Sequence, residues 1–406
     1  MKPEDVFTPR SAHVNEAMYV TRTAHEESLV SALRGRLHIV IHGESGSGKS
    51  WLYKKVLDDE NACYVVANLA NASRLGSITA ELKNVVDREG RAKKSGYEEE
   101  KSAEYSALVA KGTLGHTGQF AIGQKEPFEA VLESLRGIAG KRLAVLVFDN
   151  LEAAFKEPFL KELADILILC DDERYAEYNV KIIIVGVPGG LREYYYKTPH
   201  HATVSSRLYE IPEVSRLPLD ACRKLIDKGF QILLKYEYAD KEKCLNHISW
   251  VTDRVPLLVH EYCLELANLV QNSARIEDSM LVVADKNWVM KSLFHAYSLV
   301  EGHMNERDTK AARRNQVLAA LAACDGEHFK AADIEPIVRH KFPLSTKDIK
   351  LNVPQTLASL STGERPLLKR TPKGDAYEFS DPRTRLVMRA MLEIVGEKVR
   401  KIPLIR

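Results

Sequence analysis

Gly43-Glu44-Ser45-Gly46-Ser47-Gly48-Lys49-Ser50 decides the fold of this 406-residue chain. The stretch follows an apolar run, Leu37-His38-Ile39-Val40-Ile41, and precedes Trp51-Leu52-Tyr53-Lys54-Lys55-Val56-Leu57, whose pattern is helical. Strand, glycine-rich loop and helix in that order are the context of a phosphate-binding P-loop. The glycines let the backbone curl until successive N–H groups aim at one centre, and the new helix adds the positive end of its dipole. The eight residues, with Trp51 directly after them, are therefore the expected nucleotide-binding stretch. Lys49 supplies charge to the β- and γ-phosphates, and the Ser50 hydroxyl is an expected Mg²⁺ ligand.

A site of this kind needs a second part, a buried strand that ends in a carboxylate. Leu143-Ala144-Val145-Leu146-Val147-Phe148-Asp149 fits, and Asp149 is expected to hold Mg²⁺ through water. Hydrolysis also needs a group that orients or deprotonates water, and two candidates stand open. Asn150 can orient water but cannot act as a base. Glu152 can do both if the turn after Asp149 brings it inward; otherwise it is a surface residue. An arginine from a neighbouring subunit often stabilises γ-phosphate charge. Arg207 is the first candidate and Arg192 the second, with a surface salt bridge as the alternative for each. The fourth strand ends Gly186-Val187-Pro188-Gly189-Gly190, with no polar side chain to touch a γ-phosphate. Further on, Thr252-Asp253-Arg254-Val255-Pro256 opens a helix from which Arg254 could reach bound nucleotide, or simply cap it.

Around these motifs, nearly continuous apolar runs at residues 37–41, 63–67, 142–148, 181–187 and 207–211 predict strands buried on both faces. Helical segments at residues 78–87, 127–139 and 158–170 lie between them, so the fold class is α/β with a parallel sheet. Residues 88–126 are rich in Lys, Glu, Gly and Ser and read as a mobile insertion. From about residue 217 the pattern becomes all-helical (218–234, 241–251, 256–270, 286–300), as a lid packed beside the nucleotide domain would be. Short helices at 316–323 and 331–338 and a longer one at 345–360, interrupted by Pro354, follow, then a hairpin around Pro372-Lys373-Gly374-Asp375. Three helices and a hairpin are the order of a winged helix. The expected domains are thus 1–216, 217–305 and 306–406.

Net charge is +2, but residues 311–406 carry 18 Lys/Arg against 11 Asp/Glu, so residues 1–310 carry −5. A basic C-terminal quarter suggests a polyanion partner there. Lys347 and Lys350 on the third helix, with Lys369, Arg370 and Lys373 on the hairpin, are the expected contacts to double-stranded DNA. Six scattered cysteines without a Cys-x-x-Cys pair, and histidines without ligand spacing, give no sign of disulfides or zinc. No apolar run approaches the ~20 residues of a membrane span, and the first residues do not lead into a signal-peptide core. A cytoplasmic protein without membrane partners is expected.

With these residues in hand, the chain resembles the AAA+ ATPases of the Orc1/Cdc6-like branch and, secondarily, the STAND switch ATPases. The parts that carry the resemblance are Tyr19-Val20-Thr21-Arg22, residues 43–50, Val147-Phe148-Asp149-Asn150, the helical lid and a winged helix ending near Phe379-Ser380-Asp381-Pro382. The resemblance implies adenine contacts from Tyr19 and Val20, an arginine finger at Arg207 and a lid sensor at Arg254. Asn150 stands where the family has Glu, the fourth strand lacks the polar sensor, and Arg254-Val255-Pro256 looks equally like the STAND lid motif. The expected function is an ATP- and Mg²⁺-dependent switch that hydrolyses ATP slowly, forms a homo-oligomer and engages DNA. The alternative is a non-hydrolysing adaptor that recruits an effector protein, as in antiviral defence or transposition. A phosphotransferase is disfavoured, because no acceptor-binding signature accompanies the loop.

Overall fold

The computed structural model describes residues 1–87, 93–94, 126–187, 191, 194–195, 202–270, 273–305, 312–371 and 374–404. The chain forms two compact units, Ser11–Arg216 and a second made of Met1–Arg10 with Leu217–Arg406. Arg192 and Lys373, and the expected insertion apart from Lys93, Lys94 and Glu126, lie outside the described residues.

The first unit is built on six strands: β1 (His38–His42), β2 (Cys63–Asn68), β3 (Lys93–Lys94), β4 (Ala144–Asp149), β5 (Val180–Val187) and β6 (Leu208–Glu210). Their order across the sheet is β3-β2-β4-β5-β1-β6. Five run parallel, and β3 alone pairs antiparallel with β2. Alternate residues face opposite sides. Ile39, Ile41, Val145, Val147, Ile183 and Val185 pack under the helices Thr23–Arg34 and Lys49–Asp59. Val40, Leu146, Phe148, Ile182 and Ile184 pack under Ile78–Asp87, Pro127–Ala139 and Glu157–Leu169. Burial on both faces is why these strands read as unbroken apolar runs. Strand β5 lies between β1 and β4, in the register Val40↔Ile184↔Phe148. The glycine-rich loop after β1, Gly186 near the end of β5 and Asp149 at the end of β4 therefore share one edge of the sheet.

In the second unit Leu219–Asp227 runs on into a wider turn, Lys228–Leu233, where the Leu234 N–H donates to the Gly229 carbonyl at 3.0 Å. The helices Lys241–Val251, Pro256–Val270, Asp278–Ser292 and Phe294–His303 follow. The sequence suggests one helix over 286–300, but the chain breaks at Leu293, whose backbone (φ −126°, ψ 12°) leaves the helical range. Two short strands, β7 (Glu237–Tyr238) and β8 (Arg275–Ile276), pair in parallel. The first ten residues belong to this unit rather than to the sheet. Phe7 packs on Phe230 with ring centroids 4.9 Å apart, and the Thr8 N–H donates to His260 Nδ1 at 3.1 Å.

Next come the helices Arg313–Ala323, Ala331–Lys341, Pro343–Thr346 and Val353–Leu360, and a hairpin of β9 (Leu368–Arg370) with β10 (Tyr377–Phe379). Phe329 adds an antiparallel bridge to Tyr377. The helix expected over 345–360, interrupted at Pro354, is instead two short helices joined by a turn. Prolines 343 and 354 each sit in the first turn of a short helix, and Asp348 (φ 55°) and Asn352 (φ 52°) turn left-handed between them. Lys347 and Lys350 thus stand in the connecting turn and not on a helix. The chain goes on to a helix, Arg383–Met391, and a hairpin of β11 (Leu392–Val395) with β12 (Lys398–Lys401).

That helix is tied into the unit by charge. Arg385 and Arg389 each donate to one carboxylate oxygen of Asp253, and all three side chains are buried. Arg389 also donates to the Trp250 carbonyl and stacks on the Trp250 ring, 4.0 Å from its centroid.

Candidate nucleotide site

Each glycine of the loop has its own conformational reason. Gly43 has φ 138°, and a Cβ there would stand 2.2 Å from the Val214 carbonyl oxygen, because the chain after β6 crosses directly over the loop. Gly48, at φ 96°, turns the chain into the helix Lys49–Asp59. Lys49 is buried, and its Nζ donates to the carbonyls of Gly43 (2.9 Å) and Glu44 (2.8 Å). Burial lowers its pKa, against the opposing pull of Glu152, Asp149 and Glu44. The Ser47 hydroxyl is buried in the same loop without a hydrogen-bond partner among the described residues. Arg22, just before helix Thr23–Arg34, braces the loop by donating to the Ser47 carbonyl at 2.8 Å and to the Ser215 carbonyl at 2.7 Å. Glu44 meets Arg216 at 3.5 Å.

Asp149 emerges at the end of β4 facing the loop helix. Its Oδ2 accepts from Ser50 Oγ at 3.3 Å and from the Tyr53 hydroxyl at 3.0 Å, while Oδ1 accepts from the Asn150 N–H at 2.8 Å. Ser50 and Tyr53 share a helix face because they are three residues apart. That spacing is the available sequence signal for Tyr53, although Tyr is no part of a P-loop signature.

The two water-handling candidates part company here. Asn150 is left-handed (φ 63°), and its amide nitrogen donates to Asn68 Oδ1 at 3.2 Å, across to the end of β2. The Glu152 carboxyl turns inward over the sheet edge. A Cβ on Gly186 would lie 1.8 Å from Glu152 Oε2, so the missing side chain on β5 is what makes room for it. Although the residue is exposed on its outer side, desolvation raises its carboxyl pKa; Lys49 opposes the shift and Asp149 adds to it.

The remaining candidates are spread more widely. The Tyr19 hydroxyl donates to Glu26 at 2.8 Å, Val20 is half-buried, and the Trp51 indole donates to the Ser11 carbonyl at 3.2 Å. Arg207 precedes β6 beside His38, at the opposite end of the strands from the loop, and pairs with Asp171 at 2.6 Å. Arg254 belongs to the Leu217–Arg406 unit, with φ 60° and its carbonyl accepting from the Leu217 N–H. In the hairpin, Lys369 pairs with Glu378 at 3.1 Å and Arg370 lies over the Tyr377 ring.

An all-oxygen donor pair, Ser50 with Asp149, suits Mg²⁺, which keeps most of its water and takes few protein ligands. The buried Ser47 hydroxyl and the Lys49 ammonium fit the phosphates that would accompany it. Tyr53→Phe removes the second donor from Asp149 Oδ2. It is expected to weaken Mg²⁺ affinity in the nucleotide complex about tenfold while leaving Mg²⁺-free nucleotide affinity unchanged. Calorimetric titrations with and without EDTA measure both quantities; an unchanged Mg²⁺ affinity would count against the role.

The sheet order and loop define a P-loop NTPase fold, and residues 32–195 match the family model of the AAA domain. That segment is similar to the AAA domain. A Walker-type ATPase of Pyrococcus abyssi is similar in structure: 16% identity, TM-score 0.50, covering 91% of this chain and 96% of that one. Cdc6p from Pyrobaculum aerophilum has 14% identity and TM-score 0.42, covering 95% and 96%. The ORC2 protein of Aeropyrum pernix in its ADP form has 12% identity and TM-score 0.45, covering 95% and 97%. At 16% identity the first of these likenesses concerns the fold alone. No curated protein matches the sequence. Among the described residues no helix is long and apolar enough to cross a membrane.

Proposed function

We propose that the chain is an ATP-dependent switch of the Orc1/Cdc6-like kind, which binds ATP with Mg²⁺, hydrolyses it slowly, assembles with further copies of itself and engages DNA. The observation that carries this reading is the convergence of Lys49, Ser50, Asp149 and Glu152 on the edge formed by the ends of β1, β4 and β5. The loop N–H groups and the helix dipole cradle the phosphates, and Lys49 is already aligned by two loop carbonyls. Ser50 and Asp149, the latter through water, would hold Mg²⁺, and the ion would supply positive charge to the phosphates. Glu152 takes the proton of the attacking water and Asn150 supports the turn that presents it. Arg207, held by Asp171 far from its own loop, would serve the site of a neighbouring copy after leaving that partner. The domain 306–406, whose helices Arg313–Ala323, Ala331–Lys341 and Val353–Leu360 precede the hairpin β9–β10, is read as the winged helix.

Glu152→Gln tests the hydrolytic part. Turnover is expected to fall at least about 100-fold with ATP affinity unchanged, the scale of a lost general base. Because burial raises the Glu152 carboxyl, wild-type turnover should fall as pH drops through a value above the ordinary glutamate range. The variant should lack that acidic limb. Gly186→Ala should mimic it, since the added methyl displaces the same carboxyl. One observation favours a non-hydrolysing adaptor instead: the group directly after Asp149 is an amide engaged by Asn68. Equal turnover in Glu152→Gln and wild type would support that second reading.

A further inference from the structure

The connecting turn at residues 341–350 combines three features that ordinary surface loops do not share. It exposes two aliphatic side chains, Leu344 at 81% and Ile349 at 51% of their full area. Its backbone is nonetheless anchored from behind. The Glu397 carboxylate accepts from the Leu344 and Ser345 N–H groups, Arg313 donates to the Ser345 carbonyl, and Arg339 donates to the carbonyls of Thr346 and Ile349. Its lysines, Lys341, Lys347 and Lys350, form no ion pair among the described residues, and Asp348 is the only carboxylate within the stretch. On the hairpin Arg370 lies over the Tyr377 ring with no ion pair among the described residues, but the lysine is compensated. Lys369 is neutralised by Glu378, which also holds His328, and Asp375 pairs with Lys330.

A rigid turn that keeps apolar tips in water is prepared for a partner, and uncompensated lysines on both sides of Leu344 and Ile349 call for a polyanion. We propose that this turn, more than the hairpin, is the surface that meets duplex DNA: Lys341, Lys347 and Lys350 lie along phosphates, and Leu344 and Ile349 enter a groove as apolar wedges. The inference rests on the DNA-binding reading above and names the surface for it. An anionic membrane is the less suitable occupant, because membrane docking uses the long apolar face of an amphipathic helix, whereas Pro343–Thr346 is one turn.

The test is fluorescence anisotropy of the full chain with a labelled duplex over a series of salt concentrations. Lys341→Ala/Lys347→Ala/Lys350→Ala should lower affinity at least about tenfold and flatten the logarithmic salt slope by about 2 to 3. Leu344→Ser/Ile349→Ser should lower affinity about tenfold with the slope kept, because no phosphate contact is lost. Lys369→Ala/Arg370→Ala should change affinity less than about threefold. Wild type without duplex affinity at low salt would overturn the DNA reading itself. Wild type that binds, with both turn variants binding equally well, would overturn this inference alone. So would loss of binding to phosphatidylserine vesicles, or loss of self-association, in the serine variant while its duplex affinity stays intact.

Discussion

Lys49→Ala is expected to lower ATP affinity at least about 100-fold in a calorimetric titration, with melting of the free protein nearly unchanged. Hydrogen bonds to charged groups contribute about 1.5–3 kcal/mol each, and removal of the ammonium also leaves phosphate charge unopposed at the loop. The free protein loses less, because the Gly43 and Glu44 carbonyls that accept from Nζ can take water instead. ATP bound by Lys49→Ala with wild-type affinity would remove the basis for the nucleotide site.

The second large effect concerns stability. Asp253→Ala takes the Asp253 carboxylate from two buried side chains, Arg385 and Arg389 (7% and 1% exposed), and leaves Arg389 only a 3.4 Å contact with exposed Asp325 among the described residues. Breaking a buried ion pair from one side costs about 3–5 kcal/mol, equivalent to roughly 10 °C in melting temperature for a unit of this size. Asp253→Asn separates charge from backbone. Asn accepts the left-handed conformation at residue 253 (φ 51°) and keeps one hydrogen-bond acceptor, so it should lose less than Ala. Differential scanning calorimetry of the two variants measures this, and a shift under about 2 °C for Asp253→Ala would show that the two arginines find other partners.

Where local chemistry alone decides a structure, the sequence was readable. The glycines, Lys49 and Ser50 needed only their own spacing and flanking pattern, and the strands announced themselves because both faces are buried. Residues 78–87 and 127–139 are helices over those spans. Features set by distant residues were not readable. That Glu152 turns inward depends on the missing side chain of Gly186, thirty-four positions away in sequence. Asp253 looks like an ordinary helix-entry residue until Arg385 and Arg389 arrive from near the far end of the chain. The segment expected as an interrupted helix over 345–360 breaks between Thr346 and Val353, because Asp348 and Asn352 turn left-handed before Pro354. The first ten residues carry too few apolar positions to show which unit they join, and contacts such as Phe7–Phe230 and Thr8–His260 reveal it.

An ATP-driven switch must change its assembly with the state of the nucleotide. Mass photometry of the full chain in ATP, in ADP and without nucleotide reads that change directly, with Glu152→Gln alongside to hold the ATP state. The account predicts a higher-mass species with ATP that returns to the ADP distribution as ATP is consumed, and that persists in Glu152→Gln. Identical mass distributions under all three conditions, for both proteins, would contradict it.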